Sequence, residues 1–211
     1  MVHLKVTKNV ELEDLSHLVK YVDWNKGHMV HFMDKAGREH YKLLSYLSKQ
    51  LPEGTQVADI GTCAGHSAMA LVANPKIRVV TYDIEDHFRK FTHLFADKLT
   101  MKDHPQIEFR LANCLFPVEM HFLRKTPLIF LDVDPHDGIQ EEHIIQSLKD
   151  YGFKGIVLCD DIHLNPAMEN WWQNKIPAGI KKLDLTAYGH FTGTGALIFD
   201  ESAHTIEICE N

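Results

Sequence analysis

Apolar residues recur along this chain in two alternating rhythms, and the alternation predicts its elements. Short apolar-rich runs at 56–60, 77–82, 107–111, 127–132 and 155–159 predict strands, the first of them buried. Between them lie stretches with helical spacing, at 67–72, at 88–99, and from about Ile139 through Leu148. Over 35–50, Tyr41, Leu43, Leu44, Tyr46 and Leu47 repeat once per helical turn, and Leu51-Pro52-Glu53-Gly54 stops that helix. The first fifty residues therefore read as helical. After the fifth run comes an irregular or helical segment, 164–180. Two more strands are expected at 183–186 and 196–199, with a final edge at 205–208.

Strands alternating with helices predict an α/β fold: a doubly wound, Rossmann-like sheet of seven strands. It should be mostly parallel with an antiparallel last strand, because the final pair has no obvious helix between its members. No linker or repeat divides the chain. It reads as a single domain, 1–211, with a helical segment over 1–50 and a core over 51–211.

Composition narrows the function classes. With 211 residues, 45% hydrophobic and 24% charged, the chain can bury a full core without staples. A net charge of −7 argues against a sequence-independent nucleic-acid binder, which needs a basic face. No apolar run is long enough for a membrane span, and Met1–Val6 lacks a signal-peptide stretch. Cys63, Cys114, Cys159 and Cys209 form no Cys-x-x-Cys pair and read as reduced thiols. These features predict a cytoplasmic protein with neither a nucleic-acid nor a membrane partner. The oligomeric state is left open, with a homodimer as one option. The fifteen histidines are scattered without a metal-binding spacing.

The segment from Val57 to Ser67 carries a strand ending in Asp59-Ile60 and then a turn through Gly61 and Gly65 into a helix. Glycine lets a backbone approach a ligand closely, although tight packing of the turn requires glycine as well. Asp83 ends the next strand, where a carboxylate accepts ribose hydroxyls or caps the following helix. Asn113 follows the third strand. Farther on, Asp132-Val133-Asp134-Pro135-His136-Asp137 leaves the fourth strand and Asp160-Asp161 ends the fifth. In a parallel sheet both clusters emerge at the carboxyl edge. So many carboxylates repel one another unless a hard cation such as Mg²⁺ or Mn²⁺ neutralises them. Taken singly, either acidic pair is an ordinary solvated turn.

The acidic-x-Gly-x-x-x-Gly turn resembles motif I of the class I S-adenosylmethionine-dependent methyltransferases. Asp132-Val133-Asp134 with Asp160-Asp161 is similar to the metal-dependent sugar O-methyltransferases of the macrocin and aminocoumarin type. The likeness covers 57–199, including Gly193-Thr194-Gly195. It implies S-adenosylmethionine as cofactor, bound by Asp59, Gly61, Thr62, Gly65, His66, Ser67, Asp83, Asn113 and Asp132. It also implies Asp132, Asp160 and Asp161 as ligands of Mg²⁺ or Mn²⁺ and Asp134 as general base, with His136 a competitor for that role. The acceptor would be the hydroxyl of a small molecule or glycan, and similar modules occur in multidomain glycan-building enzymes, including those of giant algal viruses.

Rival readings are a catechol-type phenolic O-methyltransferase and, from another class, a metal-dependent glycosyltransferase using Asp132-Val133-Asp134. Phenolic enzymes usually carry a lysine just beyond the first metal aspartate, where Pro135-His136-Asp137 stands here. The glycosyltransferase reading leaves the glycine turn unexplained. Trp171 or Trp172 is expected to stack on a sugar face or to pack in the core, and His163 to shape the acceptor pocket.

Overall fold

Seven strands form one sheet in the computed structural model, which describes residues 1–24, 29–90, 92–95 and 97–209. In chain order the strands are β1 Val2–Val6, β2 Gln56–Ile60, β3 Arg78–Asp83, β4 Ile107–Leu111, β5 Leu128–Leu131 and β6 Ile156–Asp160. The last three are β7 Lys181–Asp184, β8 Thr194–Ile198 and β9 His204–Ile208. The sheet runs β4-β3-β2-β5-β6-β8-β7, with β8 antiparallel to both of its neighbours. Strand order reverses direction at β2, which pairs with β3 on one side and β5 on the other. That reversal leaves a crevice at the carboxyl ends of the strands.

Helices cover both faces: α1 Tyr41–Ser48, α2 His66–Leu71, α3 His87–Lys90, α4 Thr92–Phe95, α5 Pro117–Leu123, α6 Ile139–Asp150 and α7 Pro166–Asn174. Strand side chains alternate between the two covers, as a period of two requires. Val57, Val79, Leu128, Phe130, Ile156 and Leu158 join the core under α1 and α2. Ala58, Val80, Ile129, Leu131, Val157 and Cys159 join the core under α5, α6 and α7. Burial on both faces explains why β5 and β6 are continuous apolar runs.

The amino-terminal segment departs from the helical expectation. Val2, Leu4 and Val6 are buried and alternate with exposed neighbours, and β1 pairs in parallel with β9 as a separate two-stranded sheet. Short 3-10 turns at Lys8–Leu12, Ser16–Tyr21 and Val30–Met33 follow, and Tyr41–Ser48 is α-helix. The expected final edge at 205–208 thus pairs with the chain's first strand and not with the main sheet. The helix expected over 88–99 stops short of its predicted end: α3 and α4 are helical, while Asp97 adopts a left-handed φ of 60° and 98–99 are not helical. The expectations for 25–28, 91 and 96 lie outside the described residues. The helix α5, begun by Pro117 in its first turn, had no counterpart in the sequence reading. All four cysteines are free thiols. Among the described residues no helix is long and apolar enough to cross a membrane.

Candidate active site

The turn after β2 folds back on β3. Gly61 N and Thr62 N both donate to Tyr82 O, at 2.9 and 3.0 Å. Gly61 has a φ of 99°, and a Cβ there would stand 1.6 Å from the Asp132 carbonyl oxygen. Gly65 has a φ of 79°, and its Cβ would meet the Met101 side chain at 2.2 Å. Both glycines are therefore required by the protein's own packing. Asp83 closes the turn: its Oδ2 accepts from Cys63 N at 2.8 Å and its Oδ1 from Glu85 N at 2.9 Å.

Asp59 is fully buried beneath this turn. It accepts a 2.6 Å hydrogen bond from the Thr81 hydroxyl, while its Oδ1 has no partner. Burial outweighs that hydrogen bond and pushes its carboxyl up to about 6. Thr62, His66 and Ser67 are likewise buried.

A cleft of about 800 Å³ opens where the sheet reverses. Of the residues expected at a cofactor, Gly61, Asp83, Asn113 and Asp132 line it. Asp59, Thr62, Gly65, His66 and Ser67 are not on its wall. Asn113 Oδ1 already accepts from Leu115 N at 2.9 Å. Asp134 and His136 also line the cleft, on the far side of β2 from Asp83.

Behind that wall the acids meet histidines. Asp132 lies close to His40 and Asp160 as one set of possible ligand atoms, and to His136 and Asp161 as another. Asp160 and Asp161 are both buried, and His190 Nδ1 sits 3.2 Å from Asp160 Oδ2 and 3.3 Å from Asp161 Oδ1. Thr192 donates its hydroxyl to Asp161. Burial alone would lower the His190 pKa, but hydrogen bonds to Asp160 and Asp161 carry it up to about 10. Burial raises the Asp132 carboxyl well above the usual range, reinforced by the charge on Asp160. Asp160 is held below the usual range because His40 and His190 outweigh its own burial. The donor set of carboxylates and imidazoles fits a divalent ion, and the buried His40 Nδ1 and His136 Nδ1 have no hydrogen-bond partner of their own.

Asp134 and His136 differ in placement. The Asp134 side chain is 95% exposed, while His136 turns inward, with Nε2 3.3 Å from Asp134 Oδ1 and Nδ1 3.6 Å from Asp161 Oδ2. His136 and Asp161 both adopt left-handed backbone, with φ of 54° and 58°. Conformations of this kind are strained and persist where surrounding contacts hold them. Asn165 supplies one such contact, donating its side-chain amide to His136 O at 2.8 Å.

One open alternative is decided and one expectation fails. Trp171 and Trp172 are both buried, Trp171 against Gly138 and Trp172 over Gly195, so neither offers a ring for a sugar. His163 binds Glu169 and Asp184, tying the loop after β6 to α7 and β7 and standing off the cleft wall. The sequence reading also missed Glu39, His40 and His190 as members of the cluster. A Glu-His pair just ahead of α1 and a histidine between β7 and β8 carry no mutual spacing. Only the fold brings them to Asp160.

The strand order, with β8 antiparallel, and the crevice at the reversal define a Rossmann-like methyltransferase fold. Solved structures share it. The SAH-bound methyltransferase PaMTH1 of Podospora anserina is 16% identical with a TM-score of 0.61, covering 88% of each chain. A protein from Corynebacterium glutamicum is 16% identical with a TM-score of 0.57, covering 88% of this chain and 90% of its own. The O-methyltransferase TomG of Streptomyces achromogenes, involved in tomaymycin synthesis and solved with SAM, is 16% identical with a TM-score of 0.51, covering 88% of this chain and 89% of its own. At such identities the likeness is one of fold. No protein-family model and no curated protein matches the chain.

Proposed function

We propose that the chain is an enzyme that transfers a methyl group from S-adenosylmethionine to a sugar hydroxyl of a glycan or glycoside, with a divalent ion. The observation that carries this reading is a single cleft with Asp83 and Asn113 on one side of β2 and Asp132, Asp134 and His136 on the other. It joins a place for a nucleoside to a place for acid–base chemistry, and its volume suits a small-molecule ligand.

Each Asp83 oxygen accepts one backbone N–H and keeps a lone pair for a ribose hydroxyl. Asp132, Asp160 and Asp161 hold the ion, and His190 fixes the orientation of the last two. When bound, the cofactor supplies an electrophilic methyl and the ion favours negative charge on the acceptor oxygen. Asp134, open to the cleft, takes the acceptor's proton, and His136 braces it from the side of Asp161. The sugar acceptor is supported by the Asp132-Val133-Asp134 and Asp160-Asp161 pattern and by Pro135-His136-Asp137 where phenolic enzymes carry a lysine.

The test is incubation with methyl-labelled S-adenosylmethionine and Mg²⁺ or Mn²⁺ against deoxysugar glycosides and catechols. Label on the glycosides is expected. Label on catechols alone overturns the sugar acceptor, and label on neither class overturns the whole reading.

A further inference from the structure

His40 stands immediately before α1, only 4% exposed, with its ring 4.7 Å from that of Phe130 and 4.5 Å from that of Tyr41. Its Nδ1 lies 3.0 Å from Asp160 Oδ2, yet the angles give it no hydrogen bond. His190 makes the contrast. Its Nδ1 is 3.2 Å from the same oxygen and is hydrogen-bonded both to it and to the Thr192 hydroxyl at 2.9 Å. A buried ring nitrogen without a hydrogen bond has lost its water, and what faces it here is the charge of the Asp160 carboxylate alone. Here that nitrogen is directed into a set of carboxylates.

Spacing points the same way. One ligand atom each from His40, Asp132 and Asp160 lie within 4.8 Å of one another. Two ligands at right angles, each ~2.1 Å from an ion, stand about 3.0 Å apart, and two on opposite sides about 4.2 Å. The separation of His40 Nδ1 from Asp160 Oδ2 therefore matches one edge of a coordination polyhedron. We propose that His40 is a ligand of the divalent ion together with Asp132 and Asp160, giving the site mixed nitrogen and oxygen donors. This rests on the metal-dependent reading above and extends it to a residue outside the aspartate pattern. His190, already hydrogen-bonded, remains a positioning residue.

An imidazole ligand changes which ion is preferred. Carboxylate and water sites suit Mg²⁺, whereas imidazole favours later transition metals, and affinity rises from Mn²⁺ to Co²⁺. It also connects the segment ahead of α1 directly to the ion.

The experiment uses the metal-stripped full chain, titrated with Co²⁺ and followed by visible absorption and by shifted imidazole N–H resonances, with Mg²⁺ as competitor. The expected result is Co²⁺ affinity at least tenfold above that for Mg²⁺ and a shifted resonance assignable to His40. His40→Asn, shown folded by circular dichroism, should lose Co²⁺ affinity at least tenfold, and His190→Asn should lose less. Equal Co²⁺ affinity and an unchanged spectrum in His40→Asn overturn the proposal while leaving the metal-dependent reading intact. Equal affinity for Mg²⁺ and Co²⁺ also overturns it. Should His40→Asn fail to fold, the wild-type resonances decide: no shifted signal from His40 overturns the assignment. Failure of the wild-type chain to bind any divalent ion removes both readings.

Discussion

Asp134 Oδ1 stands 3.3 Å from His136 Nε2, with the carboxylate open to the cleft and the imidazole turned in towards Asp161. In the proposed mechanism the pair divides the labour of proton transfer by exposure. The group that solvent and acceptor can reach is the aspartate. Asp134→Asn is expected to keep cofactor and metal affinity and to lose roughly a hundredfold or more in turnover. His136→Ala should lose less. Normal turnover in Asp134→Asn with a dead His136→Ala would reassign the base to His136.

Asp83 holds Cys63 N and Glu85 N while facing the cleft. Hydrogen bonds to a charged group are worth ~1.5–3 kcal/mol each, so Asp83→Ala should weaken S-adenosylmethionine binding roughly tenfold to a hundredfold by calorimetry. Far-ultraviolet circular dichroism should stay unchanged. An unaltered affinity removes Asp83 from the cofactor site.

The clustered acids Asp132, Asp160 and Asp161 predict dependence on a divalent ion. Chelation should abolish methyl transfer, and Mg²⁺ or Mn²⁺ should restore it. In Asp160→Asn, half-maximal activity should need at least tenfold more metal, since one charged ligand becomes neutral. Full activity in a thoroughly metal-free sample sinks the metal-dependent mechanism.

Asp59 predicts a pH dependence of stability. Its carboxyl titrates near 6 in the folded chain against 3.8 ordinarily. Between those values the unfolded chain releases a proton that the folded chain retains, so stability falls as pH rises from about 4 to 6 and then levels off. At ~1.4 kcal/mol per tenfold change in proton affinity, the loss is on the order of 3 kcal/mol. Asp59→Asn should not show it. Urea unfolding of both forms at pH 4 and pH 7 checks the sign, and a constant difference between them contradicts the buried ionisation.

Sequence pattern served best where burial is two-sided. The strands at Gln56–Ile60, Leu128–Leu131 and Ile156–Asp160 fall within a residue of the apolar runs that predict them. Val2, Leu4 and Val6 also alternate, but their partner lies at His204–Ile208, and the helical rhythm of Tyr41 to Leu47 masked them. Aspartates at strand ends were legible because a parallel sheet sends such ends to one edge. His40 and His190 were not, since their approach to Asp160 depends on how α1 packs and on β8 running beside β6. For Trp171 and Trp172 the sequence left sugar stacking and core packing open, because adjacent helical positions usually face different ways. Here the hollows left by Gly138 and Gly195 receive both rings.

The space where a side chain at position 61 would begin is taken by the Asp132 carbonyl, so the turn after β2 and the end of β5 fit together like a key and its slot. Selection on that glycine is then architectural and independent of any ligand. A descendant that had lost the proposed methyl transfer would keep Gly61 for as long as β2 and β5 stayed neighbours, whereas Asp134, exposed and outside any such fit, would be free to drift. Loss of that acid with the glycine retained is the trace that lapsed chemistry would leave in this fold.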